Sequence, residues 1–303
     1  MPSLSEAPAC LLCGATTTLL FPSNVRNGAR IASSELACTS PYLSVHDDIF
    51  TCRQCELGRS MPPQDISELD GLYRDVHDTE YLESEPERRA DFRKGLEEIE
   101  RYPFVTKGSL LEIGSSVGLF LEEARSQGWE VCGIEPSRWA TEHAAARGLT
   151  IFNGMLDDFD AEGRLFDVVA SWDVWEHLQD PMGALDRAYE LLKPGGLLVL
   201  TTVNMGSIMA KLLRGRWPWF MRMHLHYFTP KSLEEMVRRS GFEVLRISTQ
   251  SKTLQLGYLL RRTQTMLGPI GRSARAVAGW LRLGERPVRV NLGDILLVEA
   301  RKP

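Results

Sequence analysis

The chain has no run of eighteen apolar residues, so no transmembrane helix is expected of it. Its first residues, Met1-Pro2-Ser3-Leu4-Ser5-Glu6, lack both the basic start and the apolar core of a secretory signal. A cytoplasmic location is the resulting expectation. Positive charge is not in excess: 35 Lys and Arg stand against 40 Asp and Glu, a net charge of −5. A dedicated nucleic-acid binder would be basic overall, so no nucleic-acid partner is expected. Internal repeats and low-complexity stretches are absent, and 303 residues suffice for one large domain or two modest ones. Also missing is the Gly-x-Gly-x-x-Gly fingerprint of dinucleotide binding. In the best candidate loop Gly114 and Gly118 stand four apart, and Leu119 and Phe120 follow.

Six cysteines are present, and four form the pairs Cys10-x-x-Cys13 and Cys52-x-x-Cys55, with 38 residues between. In a reducing compartment this spacing reads as a four-thiolate zinc site. Thiolates at i and i+3 on a tight knuckle present both sulfurs to one tetrahedral ion. Four thiolates leave no open position, which makes the zinc structural. Cys38 and His46 lie inside the loop as substitute ligands, and four unligated cysteines in a small core are the competing reading. Cys132 falls within an apolar run and reads as core.

Four segments follow from the pattern. Residues 1–62 form a zinc-knuckle module that stops at Met61-Pro62-Pro63. Residues 63–107 are rich in Asp, Glu and Arg, with a helix expected from Pro86 to Ile99. Tyr73, Tyr81 and Phe92 could pack this segment over a cleft as a lid, or it is a solvated helical linker. Residues 108–204 alternate strand and helix. Strands are expected at 109–113, 130–134, 149–152, 166–171 and 197–202, and helices at 119–127, 137–147 and 181–192. Such alternation implies a parallel sheet covered on both faces, with ligands outside the carboxyl ends of the strands. Residues 205–303 form a cap or acceptor region and the closing strands. Here a helix is expected over Pro230–Ser240, and strands over Phe242–Thr249 and Asn291–Arg301.

The stretch Glu112-Ile113-Gly114-Ser115-Ser116-Val117-Gly118 ends an apolar run, and Glu135 closes the next strand 21 residues after Gly114. A carboxylate there can accept both hydroxyls of a ribose. Glu-x-Gly-x-x-x-Gly followed by such an acid resembles the class I S-adenosylmethionine-dependent methyltransferases. Phe166-Asp167-Val168-Val169, Leu192-Lys193-Pro194-Gly195-Gly196 and His226-Tyr227-Phe228-Thr229-Pro230 extend the likeness. It is to bacterial members with an N-terminal Cys-x-x-Cys module that modify quinone precursors, sugars or lipids. The implied architecture is α/β: a Rossmann-like class I sheet with the zinc-knuckle module before it and a helical cap inserted before the last strand. The implied cofactor is S-adenosylmethionine. Its implied contacts are Glu112, Gly114, Ser115, Gly118 and Glu135, then Met155, Leu156 and Asp157 beside the adenine, and Asp173. Many relatives have Asp where this chain has Met155, so Asp157 or Asp158 would meet the adenine amino group.

Asp173-Val174-Trp175-Glu176-His177 follows the fourth expected strand, and positions i, i+3 and i+4 share one face of a helical turn. Three readings stay open. Asp173 and Glu176 form a capping box; His177 is a general base on an acceptor hydroxyl; or Asp173, Glu176 and His177 bind Mg²⁺ or another divalent ion. The last is similar to an acid-x-x-Glu-His motif in quinone-type and RNA-end O-methyltransferases, with His224 or His226 completing the site. His177, His224 and His226 are thus the catalytic candidates, and His143 reads as a surface residue.

Residues 205–228 carry Lys211, Arg214, Arg216 and Arg222 without an acid, interleaved with Trp217, Trp219, Phe220, Tyr227 and Phe228. Residues 254–290 carry seven arginines against one acid, Glu285. Both stretches suit an anionic or lipid-linked acceptor, or peripheral contact with the inner membrane face; solvated arginines around a packed cap are the alternative. The expected reaction is O-methylation of a glycan, glycolipid or other small hydroxylated metabolite. The alternatives are C-methylation of a nucleotide-linked keto sugar and non-catalytic binding of the cofactor.

Overall fold

The apolar runs between Ser109 and Val203 become the centre of a sheet because each is flanked by a helix whose apolar face covers it. A computed structural model describes residues 7–25, 29–61, 67–255 and 286–303. The N-terminal part supplies β1 (Thr17–Phe21), β2 (Asp48–Cys52), β3 (Gly58–Met61), α1 (Ser67–Arg74), α2 (Thr79–Glu83) and α3 (Glu85–Glu100). The alternating part supplies β4 (Ser109–Ile113), α4 (Leu119–Ser126), β5 (Glu130–Glu135), α5 (Arg138–Ala146), β6 (Ile151–Asn153), β7 (Phe166–Trp172), α6 (Pro181–Leu191) and β8 (Leu192–Val203). Then come α7 (Ile208–Leu213), β9 (His226–Tyr227), α8 (Pro230–Arg239), β10 (Glu243–Thr249), β11 (Lys252–Gln255), β12 (Pro287–Val290) and β13 (Ile295–Arg301).

Seven strands form one sheet in the order β10-β13-β8-β7-β4-β5-β6. β4 to β8 run parallel, while β13 is antiparallel to both β8 and β10. Alternate residues of each strand serve opposite faces. Leu110, Val168 and Val199 meet Leu96, Ile99, Phe120 and Trp129 on one side. Leu111, Val169 and Leu198 meet Leu185, Leu191, Leu233 and Met236 on the other. β8 begins at Leu192, earlier than the expected 197, because Lys193-Pro194-Gly195-Gly196 is accommodated as an irregularity. The register jumps from Phe166↔Leu192 to Val168↔Leu197 there, with Gly195 at φ 78°. No described helix is long and apolar enough to cross a membrane.

The α1–α3 segment is packed, not a solvated bridge. Phe92 meets Phe120 and Trp172 with ring centroids 5.7 and 6.2 Å away, and Leu96 and Ile99 are fully buried. A second sheet, β1-β2-β3-β9, is antiparallel and takes its last strand from the region after β8. The stretch 205–228 is largely interior. Trp217, Phe220 and Tyr227 pack with Ile49 and Val203, and Arg222 is buried against Asp47 and Glu35. Its aromatics therefore build a core, which corrects the expectation of a membrane or sugar-stacking surface over that whole stretch. Most of the second basic stretch, 256–285, lies outside the described residues.

Gly118 starts α4 with φ 80°, and a Cβ there would land on Leu149 Cδ1. Left-handed backbone costs a non-glycine residue about 1–2 kcal/mol, and the overlap adds to it. Gly118→Ala is therefore expected to lower the urea midpoint of unfolding, and an unchanged midpoint would contradict this packing.

Candidate active site

The carboxyl ends of β4, β5 and β7 open into a cavity of about 1170 Å³, above the roughly 300–1,000 Å³ usual for a single ligand. It has room for a cofactor and an acceptor together. Gly114, at φ 74°, turns the chain off β4, and its N–H and that of Ser115 donate to the Ile134 carbonyl at 2.9 and 3.0 Å. A Cβ on Gly114 would lie 2.5 Å from Val174 Cγ2. The turn thus brings bare backbone to the cavity wall.

Glu135 closes β5 and accepts two backbone N–H bonds, from Ser116 and Ser137, each at 2.8 Å. Burial raises its pKa, and these two N–H groups pull against the rise. Glu112 is buried beside it with Oε2 lacking a partner among the described residues. Burial first, and then Glu135, hold the Glu112 carboxyl well above its ordinary range. Glu112, Gly114, Glu135, Met155, Leu156, Asp157 and Asp173 all line the cavity. Carboxyls crowded this way gain from a cationic ligand, which supplies the missing opposite charge. Ser115, Gly118 and Asp158 do not line it. Gly118 serves the helix start, and Ser115 Oγ would lie 2.7 Å from a Cβ on Gly133, behind the wall. Tyr81 and Arg88 do line it, with the guanidinium 3.7 Å from the ring centroid. Arg88 carried no spacing signal in its charge-rich helix, and Tyr81 was legible only as one of three aromatics.

Past β7 the chain takes a 3-10 turn, Trp175–His177. Asp173, at φ 56°, is not its cap. Thr201 Oγ1 donates to Asp173 Oδ1 at 2.8 Å, and Lys252 Nζ pairs with Oδ2 at 2.5 Å. Burial raises the Asp173 pKa, but the Lys252 ammonium, the Thr201 hydroxyl and Arg88 together outweigh it and leave the pKa lowered. Glu176 accepts instead from Thr202 Oγ1 at 2.7 Å. The capping box does not form, because a 3-10 turn places i and i+3 differently from the α-helical turn assumed from the spacing.

The donors that converge are Glu176, His177 and His224, with one ligand atom of each within 4.8 Å of the others. Asp173 is not in that group. The His177 and His224 rings meet edge-on at 4.8 Å. His177 Nδ1 lies 3.0 Å from the Met223 carbonyl and 3.2 Å from Tyr73 Oη; His224 Nδ1 lies 2.8 Å from the Trp219 carbonyl. A carbonyl only accepts, so each Nδ1 carries the proton and each Nε2 is the basic nitrogen. Burial pushes His177 down to about 4 and His224 well below its ordinary value, while burial and then Asp173 push Glu176 up to about 8. His226 stands apart on β9, opposite Arg59, and does not line the cavity. Beyond the cluster the wall carries the apolar Leu36, Leu43, Leu69, Met209, Trp219 and Met223, with the polar Asp70, Gln179 and Asp294 among them.

The four cysteines gather at the foot of the second sheet. Cys10 and Cys55 sulfurs are 3.4 Å apart, as are those of Cys13 and Cys52, and all four lie within 4.8 Å. Tetrahedral zinc with bonds of about 2.3 Å would space its sulfurs by about 3.8 Å, so the set fits that ion. Cys38 and His46 are not substitutes. Cys38 lines the cavity, and His46 is bonded to the Asp47 and Gly215 carbonyls at 2.9 and 3.2 Å.

The family model described as "Methyltransferase domain" matches residues 83–247, more than half of the chain. The chain belongs to the class I S-adenosylmethionine-dependent methyltransferases. A ubiquinone biosynthesis O-methyltransferase of Cereibacter sphaeroides is 34% identical over 152 residues, covering 44% of this chain and 60% of that protein. The corresponding Ruegeria pomeroyi protein is 34% identical over 152 residues, 44% and 59% of the two chains. This methyltransferase thus spans about three fifths of the length of the curated relatives it matches. An S-adenosylmethionine-dependent methyltransferase of Thermotoga maritima shares the fold, with a TM-score of 0.50 at 20% identity over 74% of this chain and 95% of that one.

Proposed function

We propose that the protein transfers a methyl group from S-adenosylmethionine to a hydroxyl of an amphiphilic small molecule. The observation that carries the proposal is the Glu176–His177–His224 cluster in the same cavity as the Gly114 turn and Glu135. Bound S-adenosylmethionine supplies a methyl carbon made electrophilic by its sulfonium. The chain has to align the two substrates and take the hydroxyl proton. Gly114 and Ser116 bring backbone close, Glu135 accepts the ribose hydroxyls, Asp157 faces the adenine, and Glu112 and Asp173 answer the cofactor's positive charge. The cluster serves the acceptor.

Both imidazoles are anchored through Nδ1 to carbonyls, the arrangement that orients metal-bound histidines. Together with the convergence of three donors this favours a divalent ion held by Glu176, His177 and His224. Such an ion supplies Lewis acidity that lowers the hydroxyl's pKa. Chelator is then expected to cut turnover by at least about tenfold, Mn²⁺ or Mg²⁺ to restore it, and Glu176→Gln to abolish the metal response. Full turnover in chelator would instead leave His177 Nε2 as the base.

The apolar wall favours an acceptor with a hydrocarbon part over a glycan. Transfer to an oxygen agrees with the name of the curated relatives. A nucleotide-linked keto sugar is a poor fit, since its diphosphate would need cationic partners that the cavity has few of. Arg88 and Lys252 are the only Lys or Arg lining the cavity among the described residues, and Lys252 is bound to Asp173. Peripheral contact with a bilayer is proposed through α7. Its Ile208 and Leu212 are 73% and 71% exposed beside exposed Lys211 and Arg214, while Met209 and Leu213 on the same helix line the cavity. Host extract incubated with labelled S-adenosylmethionine should give a labelled product that partitions into organic solvent. Label confined to water-soluble products would overturn the acceptor class.

A further inference from the structure

The knuckle hairpin, the loop between the knuckles and the reaction centre form one connected assembly. The second knuckle is the turn of the β2–β3 hairpin: Cys52 N–H donates to the Leu57 carbonyl at 3.0 Å, and Glu56 N–H to the Cys52 carbonyl at 2.9 Å. β3 then carries the strand of the acceptor site. Gly58 and Arg59 pair with Tyr227 and His226, and Ser60 N–H donates to the Leu225 carbonyl at 2.9 Å. All three cluster residues are tied to residues 223–225, the segment that leads directly into β9. Leu225 N–H donates to the Glu176 carbonyl at 2.7 Å, the Met223 carbonyl orients His177, and His224 is the residue between. The loop joining the knuckles is tied to the same place by Arg222, which binds Asp47 at 3.2 Å and the Ala29 carbonyl at 2.8 Å. That loop contributes Leu36 and Leu43 to the acceptor wall.

The cofactor residues are held differently. Gly114, Glu135 and Met155–Asp157 stand on β4, β5 and the turn after β6, whose bonds run within the large sheet and to Ser116 and Ser137. No described hydrogen bond links residues 7–61 to them.

We infer that the four-thiolate site is a positioning device for the acceptor half of the reaction centre, setting the Glu176–His177–His224 geometry and the wall at Leu36 and Leu43. The inference rests on the proposed function. Holding both knuckles on one ion fixes the β2–β3 turn and both ends of the loop; without it β3 and the segment 223–227, which ends in β9, lose their common anchor. The zinc-loaded full chain and a Cys13→Ser variant are compared for zinc content, S-adenosylhomocysteine affinity by calorimetry, turnover, and the imidazole resonances of His177 and His224. Zinc loss is expected to leave the affinity within about threefold, as for independent sites, to cut kcat by more than about tenfold, as a lost positioning contact does, and to shift or broaden both imidazole signals. Ser60→Pro, which keeps all four cysteines but removes the N–H to Leu225, is expected to retain zinc and cofactor binding and lose turnover likewise. Unchanged kcat after zinc loss, or cofactor affinity lost in step with zinc, would overturn the inference. Failure of the zinc-loaded wild type to bind S-adenosylhomocysteine would instead sink the proposed function.

Discussion

His177→Ala is expected to lower kcat by about 10²–10⁴-fold, the range for removing a positioned proton acceptor. S-adenosylhomocysteine affinity should stay within about threefold, since independent sites add with small error. The argument is geometric. His177 Nδ1 is occupied by the Met223 carbonyl, so the ring presents Nε2 as a basic nitrogen in the same cavity as the Gly114 turn. Whether that nitrogen takes the proton directly or helps to bind an ion, its loss removes the step and leaves the cofactor residues in place. His226→Ala is the informative comparison. That ring is buried on β9 away from the cavity, so its removal acts through stability. Equal kcat losses at 177 and 226, with both proteins folded, would refute the assignment.

The second large effect concerns the cofactor. Glu135→Ala should weaken S-adenosylhomocysteine binding by about 10²-fold or more, since hydrogen bonds to a charged group contribute about 1.5–3 kcal/mol each. The carboxylate holds the Ser116 and Ser137 N–H groups, at the glycine turn and at the cap of α5. Its loss would remove the proposed ribose acceptor and also free the two backbone segments that frame it. Glu135→Gln, which keeps shape and one acceptor oxygen, should fall between. Calorimetric titration decides. Wild-type affinity in Glu135→Ala would mean that this acid does not meet the ribose.

Much of the large sheet was legible because its strands are apolar runs punctuated by glycine and proline. Ser109–Ile113 matches to the residue, and α4, α5 and α6 end within a residue of their expected limits. Periodicity alone does not separate a buried parallel strand from a buried helix, but the short length of these runs and the glycine and proline that flank them do. The second sheet was not legible. Its fourth strand is two residues long and joins a partner about 170 positions earlier, and no local pattern announces such a pairing. The same distance hid the role of residues 205–228, whose arginines and aromatics look like a surface until Asp47, Glu35 and Ile49 are folded against them. At the candidate site the spacing grouped Asp173, Glu176 and His177, with His224 or His226 to complete them; Glu176, His177 and His224 are the ones that converge, while the tighter turn and Lys252 hold Asp173 aside.

The strand order has a consequence for how the molecule is made. β13, seven residues at positions 295–301, lies between β8 and β10 and pairs with β8 along its whole length. Until the ribosome has released residue 301, β8 offers the open edge Leu197-Leu198-Val199-Leu200 to whatever is nearby. Such an unpaired apolar edge is a template for association with other chains. Nascent chains stalled after β10 should therefore be the aggregating species, and the time between synthesis of β8 and of β13 is the window in which a chaperone has to shield it.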